Sequence, residues 1–474
     1  MLPPPVVSKH VHVGLGLALS IGCMPNPTGP GAPGQPVGWD DGVRIPAADD
    51  MNPDPNIVEV ALQARMTPMS FVPGGPTTVW TYNGQVPGPL IRARVGNRVI
   101  VHFSNALAET TTIHWHGLRI PAAMDGMPDL SQPPVQPGDS FTYDFVVPDA
   151  STFWYHPHVD SAVQEGNGMY GAFIVDDPSE PAGLGDEVVM VLSDLGVNDD
   201  GSLYAQDAGG DIGTLFGREG NILLVNGMIK PTLKARPGLR QRWRFINAAK
   251  TRYFQIGLDG HSFTRIGGDG GLLSAPVAVD QPEIAPGERM DLLVVPDGEP
   301  GSQLVVKWIA FDRGYGSTYN RPPEDLFVVQ LEGSHQDAPP MPTVQRDIAP
   351  LTPTAPQIDL ELMEVSATPF ALGINGAAYK DSQPIMAYVG DTQVWSITNN
   401  MDFAHPFHLH GFFFQVISPA GPLEWKDTVN VPVGSTVQFV AHYDDRPGMW
   451  MFHCHILDHA EAGMMGSLMV MEPP

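Results

Sequence analysis

Short runs in which apolar residues fall at every second position recur along the chain, each closed by Gly, Pro or Asn. A period of two puts alternate side chains on one face of a strand, so these runs predict β-strands buried on one side. Three segments share one order. The first has Asn83-Gly84, Val95-Gly96 and Val101-His102-Phe103-Ser104-Asn105. The second has Asn226-Gly227, Pro237-Gly238 and Trp243-Arg244-Phe245-Ile246-Asn247. The third has Asn375-Gly376, Val389-Gly390 and Trp395-Ser396-Ile397-Thr398-Asn399. Each reads as a turn, a strand, a glycine turn and an alternating strand. The copies begin about 145 residues apart, which is the size of a whole domain rather than of a solenoid repeat. The prediction is an all-β protein of three sandwich or barrel domains, at 50–178, 179–340 and 351–474. The first boundary falls near Asp177-Pro178. Six prolines between Ala338 and Pro356 mark a linker between the second and third domains. No long amphipathic helix announces itself.

Composition narrows the class. The 474 residues include 51 Gly and 49 Pro, close to a fifth of the chain where roughly 12% is usual. With 42% hydrophobic residues and no G-X-Y period, this is turn-rich β-structure and neither collagen nor disorder. Only 16% of residues are charged, yet the formal net charge is −27. That excess of acid argues against nucleic acid and anionic membranes as partners.

No apolar run reaches the ~18 residues of a membrane-spanning helix. The N-terminus has Lys9 and a mostly apolar run from Val11 to Gly22, ending at Cys23. Residues 1–23 resemble a secretory signal peptide. They also resemble a lipoprotein signal with Cys23 as the lipidated residue, although Ser20 stands where such signals usually carry Leu. Residues 24–49, rich in Pro and Gly, would then be a tether. The expectation is an exported protein of the periplasm or cell envelope, touching membrane only through a lipid on Cys23. The other cysteine, Cys454, lies in a very different setting, and no disulfide is expected between the two.

Sixteen histidines would by chance form roughly half a His-x-His pair. Five pairs are present. His10/His12 lies in the signal segment. The other four are His114/His116, His156/His158, His408/His410 and His453/His455, each in a strand-like context. On a strand, positions i and i+2 share a face, so each pair aims two imidazoles at one place. Two pairs belong to the first domain and two to the third. Eight such nitrogens imply several metal ions, since one ion takes about four to six ligands. Cys454, between His453 and His455, points away from both. It can serve a second metal site while its neighbours serve the cluster. His405, His459 and Met464 complete a set of two imidazoles, a thiolate and a thioether, which matches a blue-copper site. The first domain has Pro157 where the third has Cys454, so it offers cluster ligands only. The second has neither pair and is expected to bind no copper. His102, His261, His335 and His442 are unpaired and read as ordinary histidines.

With these motifs the chain, from about residue 50 to its end, resembles the three-domain multicopper oxidases: laccases, bacterial copper-tolerance oxidases and ascorbate oxidase. The motifs are His-Trp-His-Gly at 114–117, His-Pro-His at 156–158, His-Pro-Phe-His-Leu-His-Gly at 405–411, and His-Cys-His at 453–455 with His459 and Met464. The resemblance implies three cupredoxin-like Greek-key barrels and four copper ions. Type 1 copper would take His405, Cys454, His459 and axial Met464. Type 2 would take His114 and His408. The two type 3 ions would take His116, His156, His158, His410, His453 and His455. Four coppers hold the four electrons that reduce dioxygen to two waters, with electrons passing from Cys454 through His453 and His455. Asp125 in Met-Asp-Gly matches the family's acidic residue near the cluster and is assigned a proton-relay role. Several bacterial relatives carry Glu directly after the last copper histidine. Here Ala460 stands there and Glu461 follows, so the second relay acid is open. Axial Met464 suggests a lower potential than Leu or Phe would give.

Dioxygen and a small phenolic or metal-ion reductant are the implied partners. The first expectation is a laccase-like oxidase of phenols and aromatic amines. The alternative is a metal oxidase for cuprous, ferrous or manganous ions. Cuprous oxidases often carry a long Met-rich insertion, and the 21 methionines form no such run, which favours the phenol reading. A copper-free structural role would require lost ligands, and none is lost. The loop Phe311-Asp312-Arg313-Gly314-Tyr315-Gly316 either borders the substrate pocket or is a surface turn.

Overall fold

The computed structural model describes residues 34–315, 321–344, 346–417 and 421–474. The signal-like segment, His10/His12, Cys23 and Gly316 lie outside the described residues. Three two-sheet units follow one another. In the first, a four-stranded sheet orders Gly75–Tyr82, Ile57–Val72, Arg98–Asn105 and Ser140–Val146. It packs on a sheet of Gly88–Arg94, Gly171–Asp176, Ser151–His156 and His114–His116. The second unit pairs a six-stranded with a five-stranded sheet, and the third pairs two five-stranded sheets. Helices are minor: the α-helices are Ser161–Gln164, Gly210–Phe216 and Leu457–Glu461. No described helix is long and apolar enough to cross a membrane.

Each unit has its own apolar core, built around Trp115 and Phe173, Trp243 and Trp308, and Trp395 and Phe439. The residues that recur in the sequence recur in role. Asn83, Asn226 and Asn375 all adopt positive φ, followed by glycines that do the same. Asn and Gly tolerate that region, which the tight turn needs. Each Asn then clamps a neighbouring strand. Its Oδ1 accepts the N–H of Gln63, Val191 or Glu361, and its Nδ2 donates to Ala61, Val189 or Asp359. Asn105, Asn247 and Asn399 likewise tie the end of their strand to backbone carbonyls: Glu109 and Val135, Arg252 and Ile284, and Phe403, Val431 and Pro432.

Two segments differ from expectation. Residues 34–49 are not a free tether. Val43 and Ile45 are buried, Ala47 bridges to Leu90, and Asn226 Nδ2 donates to the Val43 carbonyl at 2.5 Å. Pro and Gly here keep the segment out of a strand, while two apolar side chains suffice to dock it. The proline-rich linker also packs: Val344 joins a buried cluster with Leu184, Ile266, Leu272 and Leu293.

Candidate metal centre

The first and third units present their histidines on short, largely buried strands and at the strand ends. His114, His116, His156, His405, His408 and His453 lie within strands, whereas His158, His410 and His455 lie just past them. His114–His116 runs antiparallel to Ser151–His156, pairing His114 with His156. In the third unit His405–Leu409 runs antiparallel to Gly448–Cys454, pairing His408 with His453 and Phe407 with Cys454. The two strand pairs face one another across the boundary between the units. His114 stacks on His410 with centroids 3.9 Å apart, and His116 on His408 at 3.8 Å. His158 Nε2 lies 3.4 Å from His453 Nε2. Ligand atoms converge in trios: His116, His156 and His455; His158, His410 and His453; and His114 and His408 with His116.

A second set lies behind the first. Cys454 Sγ is 3.4 Å from His405 Nδ1 and 3.7 Å from His459 Nδ1, and those nitrogens are 3.1 Å apart. Met464 is fully buried, and its carbonyl accepts the Cys454 N–H at 3.1 Å. Alternation along the strand therefore places Cys454 in one set and His453 and His455 in the other.

The imidazoles are fixed from behind. His114 Nδ1–H donates to the Asp125 carbonyl at 2.8 Å, His408 Nδ1–H to the Asp427 carbonyl at 2.9 Å, and His453 Nδ1–H to the Cys454 carbonyl at 2.9 Å. His410 Nδ1–H donates to Asp125 Oδ2 at 2.9 Å. These bonds select the tautomer and leave Nε2 as a lone-pair donor. Nε2 of His114, His156, His408 and His410, and Nδ1 of His116, are buried without a hydrogen-bond partner. Buried acceptors without a hydrogen-bond partner are what metal ions would satisfy. Burial also holds the imidazoles neutral. It drives the pKa values of His116, His156, His158, His410 and His455 well below the usual range and that of His453 to about 3. Burial pushes the Cys454 thiol up to about 12, so a cation is needed to make it a thiolate. Neutral imidazoles with a thiol that only a metal would ionise fit copper, the expectation from the motifs.

Three acidic residues surround the cluster. Burial opposes charge on Asp125, but His410 and His114 beside it hold the carboxyl well below the usual carboxylate range. Glu165, which sequence reasoning missed, is wholly buried with Oε2 2.7 Å from His156 Nδ1. Burial keeps its pKa well above the usual range. Glu461, considered for the place left by Ala460, is engaged elsewhere, its Oε1 accepting the Ser161 N–H at 2.7 Å. Asp427, also missed, approaches His116 Nε2 at 3.3 Å and is tied to Arg289 at both carboxylate oxygens, one at 2.7 Å.

Arg289 belongs to the second unit, whose part is support. Besides Asp427 it reaches the Thr152 carbonyl of the first unit at 3.0 Å. Gly287 has φ of 86°, and a Cβ there would lie 2.7 Å from His455 Cδ2, so glycine is required by space as well as conformation. On the helix Gly210–Phe216, the Leu215 carbonyl accepts His459 Nε2–H at 3.0 Å. Arg218 Nη1 donates to Asp458 Oδ1 at 2.5 Å. The four histidines read as ordinary sit apart from the metal centre. His102 faces Glu59, His261 the Asp297 carbonyl, His335 Asp297, and His442 Thr392.

A cavity of about 460 Å³ opens beside Ala404, which precedes His405. It is lined by Glu283, Phe311, Asp312, Arg313, Gly314, Asn430, Pro432 and Val433. The described part of the 311–316 loop therefore borders a pocket rather than forming a bare surface turn.

Three multicopper oxidase family models match the chain, at residues 63–180, 186–317 and 347–474. The multicopper oxidase MmcO of Mycobacterium tuberculosis is 32% identical, with 96% of this chain and 95% of that protein aligned. A laccase of Bacillus subtilis is 27% identical over 84% of this chain and 91% of its own. Among solved structures, a metallo-oxidase of Campylobacter jejuni superposes with a TM-score of 0.81 at 26% identity, covering 90% of this chain and 94% of its own.

Proposed function

Since this chain belongs to the multicopper oxidase family, we propose that it is a laccase-like enzyme that oxidises phenols and aromatic amines one electron at a time. The observation that carries this reading is the strand end Phe452–Ile456, where one backbone serves both donor sets. Four substrate molecules would be oxidised for each dioxygen reduced to two waters. Four copper ions are the count that the donor groups support: His405, Cys454 and His459 with Met464 for type 1, His114 and His408 for type 2, and the two remaining trios for type 3. When bound, copper supplies the electron storage and the oxygen chemistry.

The residues supply the rest. His453 and His455 flank Cys454, which makes the peptide chain the shortest bonded link between the two sets. Asp125, ionised beside His410 and His114, holds an acceptor for protons at the cluster, and Glu165 holds a proton on its far side. At the cavity, a phenol that loses an electron must also lose a proton. Glu283 lines that wall, and burial raises its pKa to about 7, suited to a proton acceptor near neutrality. A metal-ion reductant would need a donor group there. Among the described residues, the only trios of metal-ligating side chains are those already named, together with His114, Asp125 and His410, so the phenol reading is preferred. Export to the cell envelope is part of the same proposal, resting on residues 1–23.

The test is oxygen uptake by the copper-loaded protein with 2,6-dimethoxyphenol, with and without added copper salt. Rapid uptake without added salt is expected. Uptake only with cuprous ion would transfer the assignment to metal oxidation.

A further inference from the structure

We propose that the cavity beside the His405–Cys454–His459 set binds an aromatic reductant that carries a carboxylate, with Arg313 as its anchor. The inference rests on the laccase-like reading and narrows its substrate class.

Arg313 is 2% exposed and lines the cavity. Its guanidinium lies over the rings of Tyr315, at 5.0 Å, and Phe403, at 5.7 Å, and Nη2 donates to the Tyr315 hydroxyl. Nε and Nη1 have no hydrogen-bond partner. The other deeply buried arginines are treated differently: Arg242, Arg244, Arg252 and Arg289 are each ion-paired with Asp or Glu. Among the described residues no carboxylate lies within ion-pair distance of Arg313. A buried, unpaired cation with unmet donors is costly, and an incoming carboxylate would satisfy it with charge-assisted hydrogen bonds. The chain's net charge of −27 repels anions at long range, so such a substrate needs a local cation.

The remaining walls suit an aromatic body and a hydroxyl. Phe311 stacks on Tyr253 at 4.9 Å, and Val433 completes an apolar side. Glu283 lies on the same cavity without an ion pair to Arg313, and Asn430 Nδ2 donates to it at 3.4 Å. The cavity thus offers a proton acceptor for a phenolic hydroxyl and a separate anchor for an acid group, as a hydroxylated aromatic acid requires. The main chain sets Arg313 against the donor set, its carbonyl accepting the Ala404 N–H at 2.6 Å.

Two measurements test this on the full chain and on Arg313→Met and Arg313→Lys, each first checked for an unchanged β-type circular dichroism spectrum. The first is calorimetric binding of 3,5-dimethoxybenzoate, which has no phenol to oxidise. Binding by the wild type, loss in Arg313→Met and partial rescue in Arg313→Lys are expected. No binding to the wild type, or equal binding to Arg313→Met, would overturn the proposal. The second is steady-state oxygen uptake with 2,6-dimethoxyphenol and with its 4-carboxylate. In Arg313→Met the KM for the acid is expected to rise about tenfold or more, as for loss of a hydrogen bond to a charged group, with the neutral phenol's KM little changed. An equal change in kcat for both, with KM unmoved, would assign Arg313 to tuning the metal site and overturn its role in binding. Failure to oxidise the neutral phenol would count against the laccase-like reading alone, because benzoate binding is read separately.

Discussion

Residues 151–171 and 448–466 are two versions of one structure. Each is a buried strand ending in a His-x-His pair, followed by a short helix and a Gly-Met-x-Gly segment that enters the next strand. In the first version the middle residue is Pro157 and the helix carries Gln164, with Glu165 just beyond it. In the second it is Cys454 and the helix carries His459. The difference is a division of labour. A strand end with Pro157 feeds one site, whereas Cys454 makes the same strand end serve two. Glu165, in turn, brings an acid to His156 from the first unit, where the third unit has Ala460 after His459.

The largest effect expected from breaking this comparison is Cys454→Ser. Phenol oxidation should fall by about a hundredfold or more, since the proposed type 1 set would lose its thiolate. Visible absorption should lose its blue band while the cluster imidazoles remain.

Arg289→Met asks whether the second unit is passive. It would strip the cation from Asp427 and leave a buried carboxylate uncompensated, an expected loss of about 3–5 kcal/mol in denaturant unfolding. Copper content should drop at the cluster. A variant as stable as the wild type would show that the second unit does not hold the other two together through this residue.

Glu165→Gln sharpens the contrast between the two strand ends. It keeps the shape beside His156 and removes the acid, so copper content should be retained and turnover should fall by about tenfold. Unchanged turnover would show that the acid beside His156 is not needed for turnover.

The smallest effect concerns pH. Glu283 is protonated below about 7 and a carboxylate above it. As a proton acceptor it makes kcat/KM for a neutral phenol rise with pH through about 7. Glu283→Gln should flatten that rise, read from the pH profile, with the blue absorption unaltered.

The sequence made the histidines and Cys454 that converge in the structure legible, because i, i+2 spacing is a local signal that survives without knowledge of the fold. The three units were legible for the same reason, through Asn83, Asn226 and Asn375 and the alternating strands after them. Arg289 and Asp427 were not, because they meet across 138 residues and nothing local marks either. Glu165 sits only seven positions beyond His158, yet its burial comes from the packing of Ser161–Gln164 against Leu457–Glu461. Leu215 acts through its carbonyl, which no side-chain pattern encodes. Residues 24–49 read as a tether and 338–356 as a linker because of their prolines. Proline reports the absence of a ladder hydrogen bond, and Val43, Ile45 and Val344 show that a segment can lack strands and still be anchored.

The most direct test of two donor sets sharing one strand end is copper stoichiometry, measured by native mass spectrometry on the wild type and Cys454→Ser. Four coppers per chain are expected in the wild type and three in the variant, with the cluster intact. A wild type that saturates at fewer than four, or a variant that loses the whole complement, would contradict the account.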